Sequence, residues 1–331
     1  MRKPLLLLLA ITLLLGACSR VGLAYRNLDW LIPWKLSDYV ALTSEQSAWL
    51  KPQLQEHLTW HCSVELPRYL DWLQRSQQAL SSRDSELMAS QLADFEQAMQ
   101  RIAVEITPST IELLRGLSPR QVDQLLAAMD EQNTKLREEF LEPPVQEQIS
   151  RRAERMEERL QPWFGTLNAE QRERVQSWAQ GLGEQNQVWL ENRMAWQQAL
   201  REALEVRRGD DFAARMTALL QERERFYTSA YQASFDKNRQ AMAEMIVDLV
   251  AQADSKQMAR ADKRLKSLHA DLAAQQCTAD QAVAGAKQAS SSAGSERRQA
   301  PVNGRHAILA EELIATAEVA ITNEAAMRRQ R

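Results

Sequence analysis

The chain has 331 residues, with 41 basic and 44 acidic side chains, 44% hydrophobic residues and only ten glycines and ten prolines. Slight acidity leaves no electrostatic footprint for nucleic acid. Abundant Ala, Leu, Gln, Glu and Arg predict long helices around a real core, and no apolar run after the first is long enough to cross a bilayer.

The first residues read as an export signal. Arg2 and Lys3 give a positive start, Leu5 to Leu15 is apolar apart from Thr12, and Leu15-Gly16-Ala17-Cys18 has the form of a lipobox. Cleavage before Cys18 would leave a thiol for a diacylglycerol thioether and an amine for a further acyl chain, enough to hold a protein to a membrane. The mature chain would keep 39 basic and 44 acidic residues, a net charge of −5. Ser19 stands where an Asp commonly retains bacterial lipoproteins in the inner membrane, so delivery to the periplasmic side of the outer membrane is expected. With Cys18 given to lipid, Cys62 and Cys277 form an even pair in an oxidising compartment. A disulfide between them would close a long loop and contribute up to about 5 kcal/mol.

In chain order, Tyr25 to Trp34 is an aromatic entry segment broken by Pro33. Its rings suit lipid headgroups or, equally simply, a cap on the helical core. Three helix starts follow one pattern: Leu42-Thr43-Ser44-Glu45-Gln46, Leu117-Ser118-Pro119-Arg120-Gln121 and Leu167-Asn168-Ala169-Glu170-Gln171. Each has a cap residue with Gln three places later, the spacing of a capping box. Helices are expected from Thr43 to about His61 with a kink at Pro52, from about Leu66 to Leu80, and from Asp84 to Ile106, ended by Pro108. Others should run from Ser118 to about Leu141, Val145 to about Leu160, and Asn168 to about Arg207, the last carrying Trp178, Leu182, Trp189, Trp196 and Leu200 on one stripe. Residues 211–275 read as further helix. Phe212, Met216, Leu219 and Leu220 form one stripe there, and Tyr227, Tyr231, Phe235, Met242, Met245 and Leu249 another. Residues 278–331 read as a low-complexity flexible tail with a short terminal helix. The expected architecture is all-α: a signal peptide (1–17), a lipid-anchored bundle of long antiparallel helices (18–277) and a disordered tail.

Candidate chemistry is sparse. His57, His61 and Glu65 recur every four residues on one helical face, a spacing that can share a metal, or that simply places histidines among Trp49, Trp60 and Trp72. The zinc-protease order, with Glu between the histidines, is not present, and no phosphate loop, nucleophile elbow or triad motif occurs. The sequence therefore points to a non-enzymatic protein without a cofactor.

The opening block Tyr25-Arg26-Asn27-Leu28-Asp29-Trp30-Leu31, then Trp34, Asp38-Tyr39-Val40 and the first capping box, resembles the start of an uncharacterised proteobacterial lipoprotein family, domain of unknown function 6279. Trp60-His61 followed by Glu65-Leu66-Pro67-Arg68-Tyr69-Leu70 resembles its next block. That resemblance covers about residues 18–277 and implies no activity or catalytic residue. The Leu-Thr-x-x-Gln element is similar to a repeat in small helical periplasmic chaperones, although any good capping box has the same form. Together these features imply a membrane-anchored protein that binds a protein partner or client. The alternatives are a structural scaffold in the envelope and a metal-binding module at His57 and His61.

Overall fold

The computed structural model describes residues 25–275; Cys18, Cys277, the expected signal peptide and the expected tail lie outside the described residues. Eleven α-helices and no strand occur among the described residues. They are α1 (Leu28–Leu36), α2 (Ser44–Trp60), α3 (Leu66–Ser82), α4 (Ser85–Arg115), α5 (Pro119–Phe140), α6 (Val145–Phe164), α7 (Ala169–Gly181), α8 (Gln185–Glu205), α9 (Phe212–Gln221), α10 (Ser229–Ala251) and α11 (Ser255–Ala273). One π-helical turn, His61–Glu65, joins α2 to α3 without a break.

Several elements differ from the sequence expectation. The entry segment, expected to break at Pro33, is helical through it, Leu28–Leu36; the proline withholds only the bond to the carbonyl of Asp29, an exposed residue. The helix expected to stop at Pro108 runs through it to Arg115. Proline withholds one backbone donor there, and the carbonyl left without it is that of Val104, a residue 49% exposed. The single helix expected over 168–207 divides into α7 and α8 at Gly183, whose φ of +49° suits glycine. The tryptophan stripe consequently does not face one surface. Trp178 enters the core with Leu160, Val175 and Leu249, Trp189 packs with Phe140 and Tyr231, and Trp196 lies against Leu200 and Leu219. The stretch 211–275 is likewise three helices, because Thr228 and Asp254 each cap a new start.

All three expected capping boxes form, and Asp254 with Gln257 makes a fourth. They meet in pairs. Gln46 and Gln121 exchange amide hydrogen bonds of 3.2 and 2.6 Å, and Gln171 and Gln257 exchange bonds of 3.2 and 3.0 Å. Each amide oxygen also accepts its own cap N–H. Each amide nitrogen also donates to a main-chain carbonyl on the partner's side: Gly116, Ala41, Leu249 or Thr166. A primary amide has two donors and two acceptor sites, so every one is used. Glutamate could not replace these residues, because a carboxylate has no hydrogen to donate.

The paired boxes reveal an internal duplication. Thr43 and Asn168 each launch a long helical stretch, Ser44 to Ser82 and Ala169 to Glu205. The first stretch is deformed at the π turn that starts at His61, and the second at Gly183, between α7 and α8. A return helix follows, α4 or α10, then the second box of the pair and a closing helix, α5 or α11. Helix α9 is an insertion in the second half. The closing helices cross over: α5 packs on α8 and α11 packs on α3, while α4 lies against α10. Polar contacts fix both crossings. Asn133 donates to Gln197 at 2.5 Å on one, and Gln77 donates to Asp262 at 2.8 Å on the other.

Candidate functional site

The residues singled out by the sequence gather around the π turn. Pro67 explains the turn: it has no N–H to complete an α-helical register, and the Leu66 N–H donates instead to His61 O, five residues back. Such single wide turns are often found at functional sites. Its extra residue places His61 and Glu65 on the side facing α4 and the entry segment.

His61 sits between two phenols. Tyr25 OH lies 2.9 Å from Nδ1 and Tyr69 OH lies 3.2 Å from Nε2. A neutral imidazole donates through one nitrogen and accepts through the other, so one tyrosine must donate and the other accept. Burial holds the His61 pKa below its ordinary value, against a smaller opposing pull from Glu65. Burial also pushes the Tyr25 phenol up to about 12 and raises Tyr69 further. All three groups are therefore neutral near pH 7.

One turn earlier, His57 bonds Ser109 Oγ at 2.6 Å and Glu105 at 3.2 Å, both on α4. One turn later, Glu65 has no exposed surface. Arg101 forks onto both its oxygens at 2.8 Å, and Arg68 adds a 3.0 Å bond. The Glu65 hydrogen bond is the chief cause that raises Arg101 above its ordinary pKa. His57, His61 and Glu65 thus follow one another along α2 and the π turn, and each turns to different protein partners. No group of three His, Cys, Asp or Glu among the described residues is placed to hold a metal. Cys62 is buried in the same turn, and its expected partner Cys277 lies outside the described residues. A shallow open groove lined by Pro52, Gln55, Glu56, Thr59, Trp60 and Ser63 runs along α2 into the π turn, but His57, His61 and Glu65 do not line it.

The second half has a counterpart that sequence reasoning missed. Arg152 of α6 is 1% exposed and donates to Ala179 O at 2.8 Å, Gly183 O at 3.1 Å and Asn186 Oδ1 at 3.2 Å. It supplies a cation to the carbonyl end of α7, where the helix dipole favours one. Burial, then the neighbouring Arg155, lowers its pKa to about 10, so it stays charged near neutrality. Asn186 in turn donates to Phe140 O and Gln148. Arg155 lies 5.0 Å from the Phe140 ring centroid, with its Nε and Nη2 finding no hydrogen-bond partner. The charged run 151–159 reads in sequence as a solvated face. Its period puts Arg152, Ala153 and Met156 inward, and that apolar pair beside Arg152 is the only signal of its burial.

A family model described as "Family of unknown function (DUF6279)" matches residues 38–232. The chain belongs to this family. The match begins just before the first capping box and ends inside α10, so it takes in the π turn and three of the four boxes. Comparisons with curated proteins and with solved structures gave no match.

Proposed function

We propose that this DUF6279 protein is an outer-membrane lipoprotein, anchored through Cys18 on the periplasmic side. Its helical body would act by binding another protein, as a chaperone-like or assembly-assisting factor, and not by catalysis. The observation that carries this reading is the use of the capping boxes. The Leu-Thr-x-x-Gln element resembles the repeat of small periplasmic chaperones, and here its glutamines build two matched clasps in a duplicated body. The titratable groups around the π turn support the same reading, since their hydrogen-bonding capacity goes to one another and to α4. The buried Trp and Met stripes belong to the core, so client contact falls to other surfaces.

The test is suppression of aggregation. Mature protein in molar excess over a chemically unfolded client should lower light scattering on dilution. Unchanged scattering at every ratio, with one dominant crosslinked partner in cells, would replace the chaperone reading with that of a scaffold. Palmitate labelling that survives Cys18→Ala would remove the anchor.

A further inference from the structure

Helix α1 has apolar residues all round, in the sequence Leu-Asp-Trp-Leu-Ile-Pro-Trp-Lys-Leu. A helix of that kind is normally covered on every side, by protein or by lipid. Here the protein covers one side. Leu28 and Leu31 are buried, whereas Trp30 is 59% exposed and is the most exposed of the large hydrophobic side chains among the described residues. Its ring stacks on Trp34 one turn away, with centroids 5.8 Å apart and planes at 9°. The pair forms a flat aromatic plate on the outside of the body.

We infer that this plate docks on the headgroup region of the lipid bilayer and sets the orientation of the body on the membrane. Two facts identify the occupant. The first is chain length: Trp30 stands twelve residues after Cys18, so even a fully extended connection keeps it within about 40 Å of an acylated thiol. The second is chemistry. Indoles combine a large apolar face with one N–H donor and favour the membrane–water interface. Nine residues make a helix of about 14 Å, less than half a bilayer core of about 30 Å, so α1 can lie in the interface and not span it. The segment is also fastened to the body behind it: Tyr25 bonds His61 at 2.9 Å, so a docked α1 would hold the π turn and the bundle at a fixed angle. The inference rests on the lipoprotein reading for its geometry, and the experiment separates the two.

Acylated mature protein is reconstituted into phosphatidylethanolamine–phosphatidylglycerol vesicles whose acyl chains carry bromine near the headgroup. Palmitate incorporation reports the anchor, and tryptophan quenching reports the docking. The expected result is loss of about a fifth of the emission, two rings of the nine in the chain, and no such loss in the Trp30→Phe/Trp34→Phe variant. Circular dichroism checks that the variant keeps its helices. Acylated protein whose quenching is the same in both forms overturns the docking while leaving the anchor standing. If no palmitate is incorporated, the unacylated chain is added to the same vesicles: quenching of the pair upholds the docking alone, and its absence overturns it. A dimer in vesicle-free sedimentation that the double variant abolishes would assign the plate to a second copy, and overturns it too.

Discussion

Glu65 has both oxygens committed to guanidinium groups and no contact with water. Removing one partner of a buried ion pair costs several kcal/mol, because the other charge is left unpaired. Arg101 is about one-third exposed and can recover some hydration. Glu65→Gln should therefore lower stability by about 2–3 kcal/mol, read as a shift in urea midpoint at unchanged slope. Arg68→Ala, on the half-exposed partner, should cost about 1 kcal/mol or less; equal losses from the two would contradict the assigned roles. His61 makes a separate prediction in pH. Its folded pKa lies below its ordinary value of 6.5, so the unfolded chain binds more protons in that window and stability rises with pH. The His61 contribution is complete above about pH 6.5 and falls as pH drops toward the folded pKa, where one tyrosine faces a second N–H in place of an acceptor. Urea titrations between pH 5 and 7 should show a shallower pH slope for His61→Gln than for the parent chain. Identical slopes would mean that the imidazole titrates freely.

At the scale of elements, the glutamine clasps make the sharpest demand. Gln171 is fully buried and uses all four hydrogen-bonding positions. Gln171→Ala should cost about 2–3 kcal/mol, because it strands the amide of Gln257 and the carbonyl of Leu249. In double-mutant cycles, Gln171 with Gln257 and Gln46 with Gln121 should each couple by about 1 kcal/mol or more. Gln46 with Gln171 should add independently; coupling there and none within the pairs would refute the pairing. The sequence made three of the four caps legible, because Leu followed by a cap residue and a Gln three places later is a local pattern. Asp254 escaped because Ala253 stands where the other boxes have leucine, and because the flanking residues continue a helical period. The pairing itself was not legible: Gln46 and Gln121 lie 75 residues apart, and a capping box is satisfied without any partner. The site divides in the same way. The four-residue spacing of His57, His61 and Glu65 is legible in the sequence, but Arg101 is 36 residues from Glu65, and no periodicity connects them. The π turn itself needed the combined effect of Pro67 and tertiary contacts that a single-helix reading does not contain.

For the whole molecule, the crossing of the closing helices has a consequence that neither half could meet alone. Ala261 and Leu265 of α11 are buried in the same core as Leu73 and Leu80 of α3. Leu136 and Phe140 of α5 are buried against Trp189 and Leu190 of α8. Each half thus lends its last helix to the other, as two copies do in an exchanged dimer, with residues 141–144 as the covalent link. Burial of one Leu or Phe side chain is worth about 1.5–3 kcal/mol, and separation would expose several on each side. Cutting the chain between Glu142 and Pro143 should therefore leave two fragments that are poorly folded singly but co-purify one-to-one. Mixed under reducing conditions, so that no disulfide joins them, they should regain the helical circular dichroism of the intact chain. Non-covalent contacts already bridge the cut: Gln148 donates to Leu141 O and Asn186 to Phe140 O. The recovered complex should melt in one transition, at a temperature that rises with concentration, because cutting makes an intramolecular assembly bimolecular. Two fragments that each melt cooperatively as monomers would mean that the halves are self-sufficient and that the crossing of α5 and α11 contributes little to holding them together.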